Sequence, residues 1–253
     1  MIQLKNSQEV ETMREGGKIL TDVLSYLFHT LRVGMKLSTL DRIATEEIIK
    51  RGGEPSFKKV KGYKWTICAC INDVVVHGIP DDYEIRSGDV VGLDCGVYYK
   101  GFHTDAAWTE KIKNEEGINR FLLVGQIALK EAIKQVKPGN YIYDISKSIQ
   151  DNVESAGYSV VRSLVGHGVG RKLHEDPEIP GVAILPRLQT PKIIEGMTLA
   201  IEIIYNAGKS EVILSESDGW TIRTKDGKIS GLFEATVAVT NHGCVLLSQF
   251  KHS

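Results

Sequence analysis

Cysteine is scarce in this chain of 253 residues, and its spacing excludes the usual structural uses. The four are Cys68, Cys70, Cys95 and Cys244. Cys68-Ala-Cys70 lacks the two-residue gap of a structural zinc site and no second pair follows it. Free buried thiols in a reducing compartment are therefore expected. An excess of one charge is missing as well. With 31 basic against 32 acidic residues, no long-range field draws the chain to nucleic acid or anionic lipid. No basic run interleaved with aromatics marks a nucleic-acid groove. The N-terminus has no apolar segment of the secretory kind, and no apolar run attains the ~20 residues that cross a bilayer. Linker-like composition is absent too, so the expectation is one continuous domain over 1–253 in the cytoplasm. A hydrophobic content of 42% is enough for an ordinary packed core.

Apolar periodicity supplies the elements. Asn6 and Glu9 form a capping pattern. Val10, Met13, Gly17, Leu20, Leu24, Leu27 and Leu31 then recur at helical steps. A second helix is expected from Ser38 to Arg51, a third from Ile118 to Val136, and a fourth from Asp144 to Ala156. Gly34 and Gly52 bracket the second helix; Gly139 and Gly157 bracket the fourth at the same separation. Leu37, Leu40, Ala44 and Ile48 match Ile142, Ile145, Ile149 and Val153 in the same way. This repeat predicts two related halves, about 1–115 and 116–253, each with helices followed by strands. In the second half, 159–165 reads as a strand followed by a glycine-rich loop. Residues 177–196 read as a proline-punctuated connection. Trp220–Thr224 is expected to pair with Ile229–Val239 across an Asp-Gly turn, and Cys244–Phe250 to close the sheet.

The chemistry is concentrated in strand carboxylates. Residues 89–99 and 102–109 read as a hairpin turning near Lys100-Gly101. An index sum shared by the Asp94/Asp105 pair and the turn pair Tyr99/Lys100 predicts that the two aspartates face each other, about 4.5–5.5 Å apart at Cβ. Opposed like charges need compensation; a bound cation is one answer, and two solvated acids are the other. Glu202 and Glu234 each lie inside otherwise apolar strands, where an isolated charge is costly. His167 sits sterically open in Gly166-His167-Gly168-Val169-Gly170. Asp94, Asp105, His167, Glu202 and Glu234 form an oxygen-rich set suited to two divalent first-row cations. His77 at a strand end and His174 in Leu173-His174-Glu175 are further candidates.

At these residues the chain resembles the methionine aminopeptidases of the short bacterial type. The motifs are Asn72-Asp73-Val74-Val75-Val76-His77-Gly78-Ile79-Pro80, the Asp94/Asp105 pair, the His167 glycine segment, Glu202 and Glu234. The resemblance implies the pita-bread α/β (α+β) fold of the creatinase/aminopeptidase kind, with pseudo-twofold halves around a curved antiparallel sheet. It implies two divalent ions (Co, Mn, Fe or Zn) bridged by Asp105 and Glu234, with Asp94 completing one site and His167 and Glu202 the other. It also implies attack of metal-activated hydroxide on the first peptide bond, aminopeptidases being a known case of two-metal chemistry. His174 would contact the scissile carbonyl, His77 would assist the leaving nitrogen, and Glu202 would shuttle the proton. Phe57, Tyr63, Cys68 and Trp220 would line the methionine pocket, where sulfur–aromatic contacts favour a thioether. The implied substrates are peptides and nascent chains starting with methionine before a small second residue, with the ribosome as an open point of contact. Specific nucleic-acid or membrane binding is not expected, and the expected state is a monomer.

The sequence departs from the family pattern at two places. Ile203 follows Glu202 where proline is common, and Phe57 stands where a small or sulfur-bearing residue is frequent. An Xaa-Pro aminopeptidase of the same fold and a non-catalytic peptide-binding module are the alternatives. The first usually carries an extra N-terminal domain, and the second usually loses ligands.

Overall fold

Asn6 opens the fold as its cap pattern anticipates. Its side chain accepts from the amides of Gln8 and Glu9, both at 3.0 Å, while its own amide donates to Glu9 at 2.9 Å. The computed structural model describes residues 2–113, 116–248 and 250. Helix α1 (Ser7–Thr30) buries Met13, Leu20, Leu24 and Leu27 along one stripe. Close approach requires Gly17 in that stripe: a Cβ there would lie 2.0 Å from the Leu247 carbonyl oxygen.

The internal repeat is visible in the backbone. Helix α2 (Leu37–Lys50) and a later helix, Ile142–Ser155, both have 14 residues. All eight matched apolar positions are buried. The four bracketing glycines, Gly34, Gly52, Gly139 and Gly157, all have φ between 82° and 93°, a conformation that costs other residues more. Even the clasp before each helix repeats. Gly34 donates to Ile85 and Gly139 to Ile193, and isolated bridges join Lys36 to Glu84 and Tyr141 to Lys192.

The strands of the first half are β1 (Glu54–Pro55), β2 (Ile67–Ile71), β3 (Val74–Val76), β4 (Val90–Tyr99) and β5 (Phe102–Lys111). Strands β2, β4 and β5 run as successive antiparallel neighbours, with β1 on β4. The hairpin differs from the expected register. Asp94 lies opposite Ala107, and Asp105 opposite Gly96, so the two aspartates are diagonal neighbours and not directly opposed. The reason is the two-residue turn: Lys100 and Gly101 both take positive φ, 45° and 96°, the combination that matches strand twist, and Tyr99 then pairs with Phe102. The slip is two residues, so both carboxylates keep one face; a slip of one would have separated them.

Helices α3 (Glu116–Lys134) and α4 (Ile142–Ser155) open the second half, and the expected junction near residue 115 falls outside the described residues. Then come β6 (Ser159–Val160), β7 (Val165–Gly168), β8 (Glu175–Pro180), β9 (Thr198–Asn206), β10 (Val212–Leu214), β11 (Ile222–Thr224), β12 (Ser230–Thr240) and β13 (Gly243–Leu246). The order β13-β12-β9-β7-β8 forms one antiparallel sheet, with β6 also on β9. Three expectations change here. The strand expected over 159–165 is interrupted, and His167 lies on β7 instead of a loop. The proline-bearing stretch after Glu175 is partly a strand, because β8 pairs only with β7 and an edge strand tolerates proline. Strand β11 pairs with β10 and β3 and not with β12. The Asp226-Gly227 turn does form, yet the β2–β3 turn wedges in: Thr224 donates to the Asp73 carbonyl and Ser230 to the Asn72 carbonyl, both at 2.9 Å. The strand expected to end the chain stops at Leu246, and Gln249 lies outside the described residues.

Threonines join the halves. Thr236 accepts the Asp105 amide at 2.9 Å and donates to its carbonyl at 2.8 Å. Thr109 does the same for Leu232, at 3.0 and 2.7 Å. Strands β5 and β12 thus meet through side chains, with Trp108 edge-on to Phe233 at 4.8 Å. This junction sets Asp105 beside the Glu234 strand.

Candidate metal centre and active-site pocket

Each half contributes a carboxylate at the same place. Asp94 is the fifth residue of β4 and Glu202 the fifth of β9, with Asp105 the fourth of β5 and Glu234 the fifth of β12. Glu202 and Glu234 are directly paired, and the β5–β12 junction brings Asp105 to them. Ligand atoms of Asp105, His167 and Glu234 lie within 4.8 Å of one another. His167 Nε2 is 3.4 Å from Glu202 Oε1 and 4.0 Å from Asp105 Oδ2. Asp94 is paired with Cys68 across β2 and β4 and lines the same pocket as Asp105. All five candidate ligands therefore line one pocket.

His167 Nδ1 lies 2.8 Å from the Gly168 carbonyl oxygen, so that nitrogen carries the proton and Nε2 presents a lone pair to the carboxylates. This is the usual arrangement of a metal-binding imidazole. Burial, reinforced by nearby His174, holds His167 down to about 4, so the ring is neutral at pH 7. The carboxylates are strained in the other direction. Burial pushes Asp94 up to about 7. Asp105, Glu202 and Glu234 are pushed well above the carboxylate range by burial and then by neighbouring carboxylate charge, that of Asp94 acting on all three. Asp94 Oδ1, Asp105 Oδ1 and Glu234 Oε1 are buried with no hydrogen-bond partner among the described residues. Orphaned buried oxygens are rare in folded proteins. Hard anionic donors, one neutral imidazole and three unsatisfied oxygens fit divalent cations.

A pH dependence of stability follows for the protein stripped of metal. Asp94 binds its proton more tightly folded than unfolded. Its contribution is complete below about pH 4 and lost as pH rises through about 7. His167, depressed to about 4, acts oppositely, but only below about pH 6.5. Between about pH 6.5 and 8.5 the melting temperature of the chelated protein should fall, by an amount reflecting about 1 kcal/mol from Asp94, with the raised Asp105, Glu202 and Glu234 acting in the same direction. Excess divalent ion should abolish the fall. Calorimetric scans at several pH values test this, and a chelated protein whose melting point stays level or rises over that window contradicts it.

Above the ligands lies a pocket of about 130 Å³. Phe57, Tyr63, Cys68 and Trp220, the four residues expected from the sequence, all line it. Tyr63 stands edge-on to Trp220 at 5.2 Å and to Phe57 at 6.3 Å. Its hydroxyl donates to the Ile67 carbonyl at 2.9 Å and reaches Cys68 Sγ at 3.3 Å. Trp220 is held by Asp218, which accepts its amide at 2.7 Å. Val60 and Leu173 complete the apolar wall, and sequence reasoning missed both. Their signal was present: each is the lone aliphatic residue in a charged stretch, Lys-Lys-Val-Lys and Arg-Lys-Leu-His. A polar cavity of about 570 Å³ opens beside it, sharing His77, His167, His174 and Glu202. Residues Ser163 to Val165, where the expected strand breaks, form part of its wall. His77 takes a left-handed φ of 55° at the end of β3, and His174 lies 4.4 Å from His167 between ring centres. Burial lowers both of their pKa values.

His103 was also missed. It is buried, with Nδ1 2.6 Å from Ser56 Oγ and its amide donating to the Gly170 carbonyl at 2.7 Å. It thereby ties the Phe57 wall to the segment carrying Leu173 and His174. Burial holds its pKa down to about 4, so the link is uncharged.

Comparison with known proteins points the same way. Residues 11–241 match the model of metallopeptidase family M24. The chain is 43% identical over 252 residues to a methionine aminopeptidase of Clostridium perfringens, covering 99% of this chain and 100% of that protein. The crystal structure of a methionine aminopeptidase from Thermotoga maritima has a TM-score of 0.93 at 37% identity, covering 98% and 100% of the two chains. A prolidase from Pyrococcus furiosus shares the fold, with a TM-score of 0.79 at 20% identity, over 98% of this chain and 66% of that one.

Proposed function

The chain belongs to metallopeptidase family M24, among its methionine aminopeptidases, and on that premise we propose that it removes the N-terminal methionine from peptides and nascent chains whose second residue is small. The observation that carries this reading is the convergence of four carboxylates and His167 Nε2 beneath a side-chain-sized pocket with a thiol and aromatic rings in its wall. That pocket favours an unbranched thioether. We assign two divalent ions to the site, drawn from Co, Mn, Fe and Zn: Asp105 and Glu234 would serve both, Asp94 would hold one, and His167 and Glu202 would hold the other. When bound, such ions supply Lewis acidity and acidify a water toward neutral pH.

The remaining steps belong to side chains. Phe57, Tyr63, Cys68 and Trp220 hold the methionine side chain and so fix which peptide bond lies over the carboxylates. Glu202, open to both cavities, moves the proton released by the attacking water toward the departing amine. His174 donates a hydrogen bond to the scissile carbonyl oxygen as negative charge grows on it. His77, which lines both cavities, binds near the leaving nitrogen and assists its protonation. The same reading makes 1–253 one catalytic domain, supported by the threonine bonds between the halves. It places the enzyme in the cytoplasm, supported by four free thiols, as a monomer.

The test is hydrolysis of Met-Ala-Ser and Ala-Pro-Ala peptides before and after chelation, with each metal then added back. Release of methionine from the first peptide alone, lost on chelation and restored by metal, is the expected result. Preference for the second peptide would indicate an Xaa-Pro aminopeptidase. No cleavage and no metal uptake would leave only a binding module.

A further inference from the structure

Lys5 lies far from the pocket in sequence and in apparent role, yet its side chain is only 1% exposed. It ends on the carboxylate of Glu175, itself 3% exposed, and its Nζ also donates to the Gln3 carbonyl at 3.0 Å. The Lys5 amide is anchored separately, donating to the Gly196 carbonyl at 2.7 Å. Glu175 is the residue after His174. Its second oxygen accepts the Lys172 amide at 3.0 Å, so the carboxylate closes the loop that presents His174. The loop wraps the lysine tightly: a Cβ on Gly170 would lie 2.2 Å from Lys5 Cε and 2.5 Å from Nζ. A second contact between the same segments, Arg171 with Glu9, lies outside this core and is partly exposed. Two charges withdrawn from water are poor evidence for stability, since an apolar pair of equal volume often serves as well. Their geometry, however, fixes a backbone. The ion pair sets Glu175, Glu175 sets Lys172 and the loop, and His174 is held between them against His167.

We propose that Lys5 is a positioning residue for His174, acting through Glu175, so that the N-terminal segment holds the histidine that meets the scissile carbonyl. The proposal rests on the role given to His174 above. Displacing a catalytic group by about 1 Å costs on the order of 100-fold in rate. Lys5→Met in the metal-loaded enzyme should therefore lower kcat on Met-Ala-Ser about 10–100-fold, leaving KM and bound metal unchanged. In the His174→Ala background the same substitution should add less than about twofold, as coupled residues require. In the metal-free protein, the ring resonances of His174, identified by their loss in His174→Ala, should move in Lys5→Met. Should Lys5→Met not fold, with Glu175 left as a lone buried charge, Lys5→Met/Glu175→Gln removes that charge, keeps the acceptor for Lys172, and is judged by the same criteria. Equal losses in both backgrounds, normal kcat, or unmoved His174 resonances overturn the proposal while leaving the catalytic reading intact. Near-normal turnover of His174→Ala overturns both.

Discussion

Asp105→Asn should leave a protein that folds but binds neither ion well and turns over no measurable substrate. Asp94→Asn should lose chiefly one ion and keep residual activity. The two aspartates share a hairpin face, but their surroundings differ. Asp105 lies at the β5–β12 junction, its backbone clamped by Thr236 and by Ser248, which donates to its carbonyl at 2.7 Å. Its carboxylate is grouped with both His167 and Glu234. Asp94 lies one diagonal step away, beside Cys68, and outside that group. A carboxamide keeps the volume of the carboxylate but removes its charge, and one of its two ends is a donor. Loss of an outer partner of a ligand costs about 10–100-fold in metal affinity, so loss of a shared ligand should exceed about 100-fold. Stability should move the other way. The metal-free Asp105→Asn protein lacks one of four mutually repelling buried carboxylates, and should melt higher than metal-free wild type at pH 8. Elemental analysis after dialysis gives the ion count. Equal losses of a single ion from both variants would contradict the division of roles.

Local periodicity and glycine placement made the helical half of the fold legible. Gly34, Gly52, Gly139 and Gly157 each hold a backbone that disfavours other residues, so their spacing reported the repeat directly. The ligands were legible for a related reason: Glu202 and Glu234 are charges inside apolar strands. What sequence could not supply was register and edge position. The Asp94–Asp105 register depended on whether Tyr99 belonged to the turn or the strand. The status of Glu175–Pro180 as a strand depended on its having one neighbour and not two. Ile222–Thr224 looked like half of a hairpin because its Asp-Gly turn is real, but the Asn72-Asp73 turn, 150 residues away, takes the intervening hydrogen bonds. Leu173, Val60 and His103 act through contacts between segments remote in sequence, and Lys5 acts through Glu175 in the same way. Each needed the tertiary structure before its partner was known.

His174→Ala should lower kcat on Met-Ala-Ser about 100–1,000-fold, the range for loss of one donor to a developing oxyanion, with both ions retained. His167 and His174 are built differently. His167 turns Nε2 to the carboxylates and ties Nδ1 to a backbone carbonyl, leaving no nitrogen for substrate. His174 lies on the loop between β7 and β8, lines both the apolar pocket and the polar cavity, and sets its ring edge-on, at 70°, to that of His167. It thus lies where the two cavities meet, beside the candidate ligands and not among them. Burial lowers its pKa, so the ring is neutral at working pH and could donate a hydrogen bond without adding a positive charge beside the cations proposed for the site. If the role is stabilisation of charge formed only during reaction, kcat falls while KM changes little. Because the apolar pocket is untouched, selectivity for methionine over other first residues should stay the same. The decisive comparison is kcat with metal content in the same preparations. A variant that keeps both ions and near-normal kcat removes His174 from the mechanism, and one whose loss tracks its missing metal makes it a structural support of the centre.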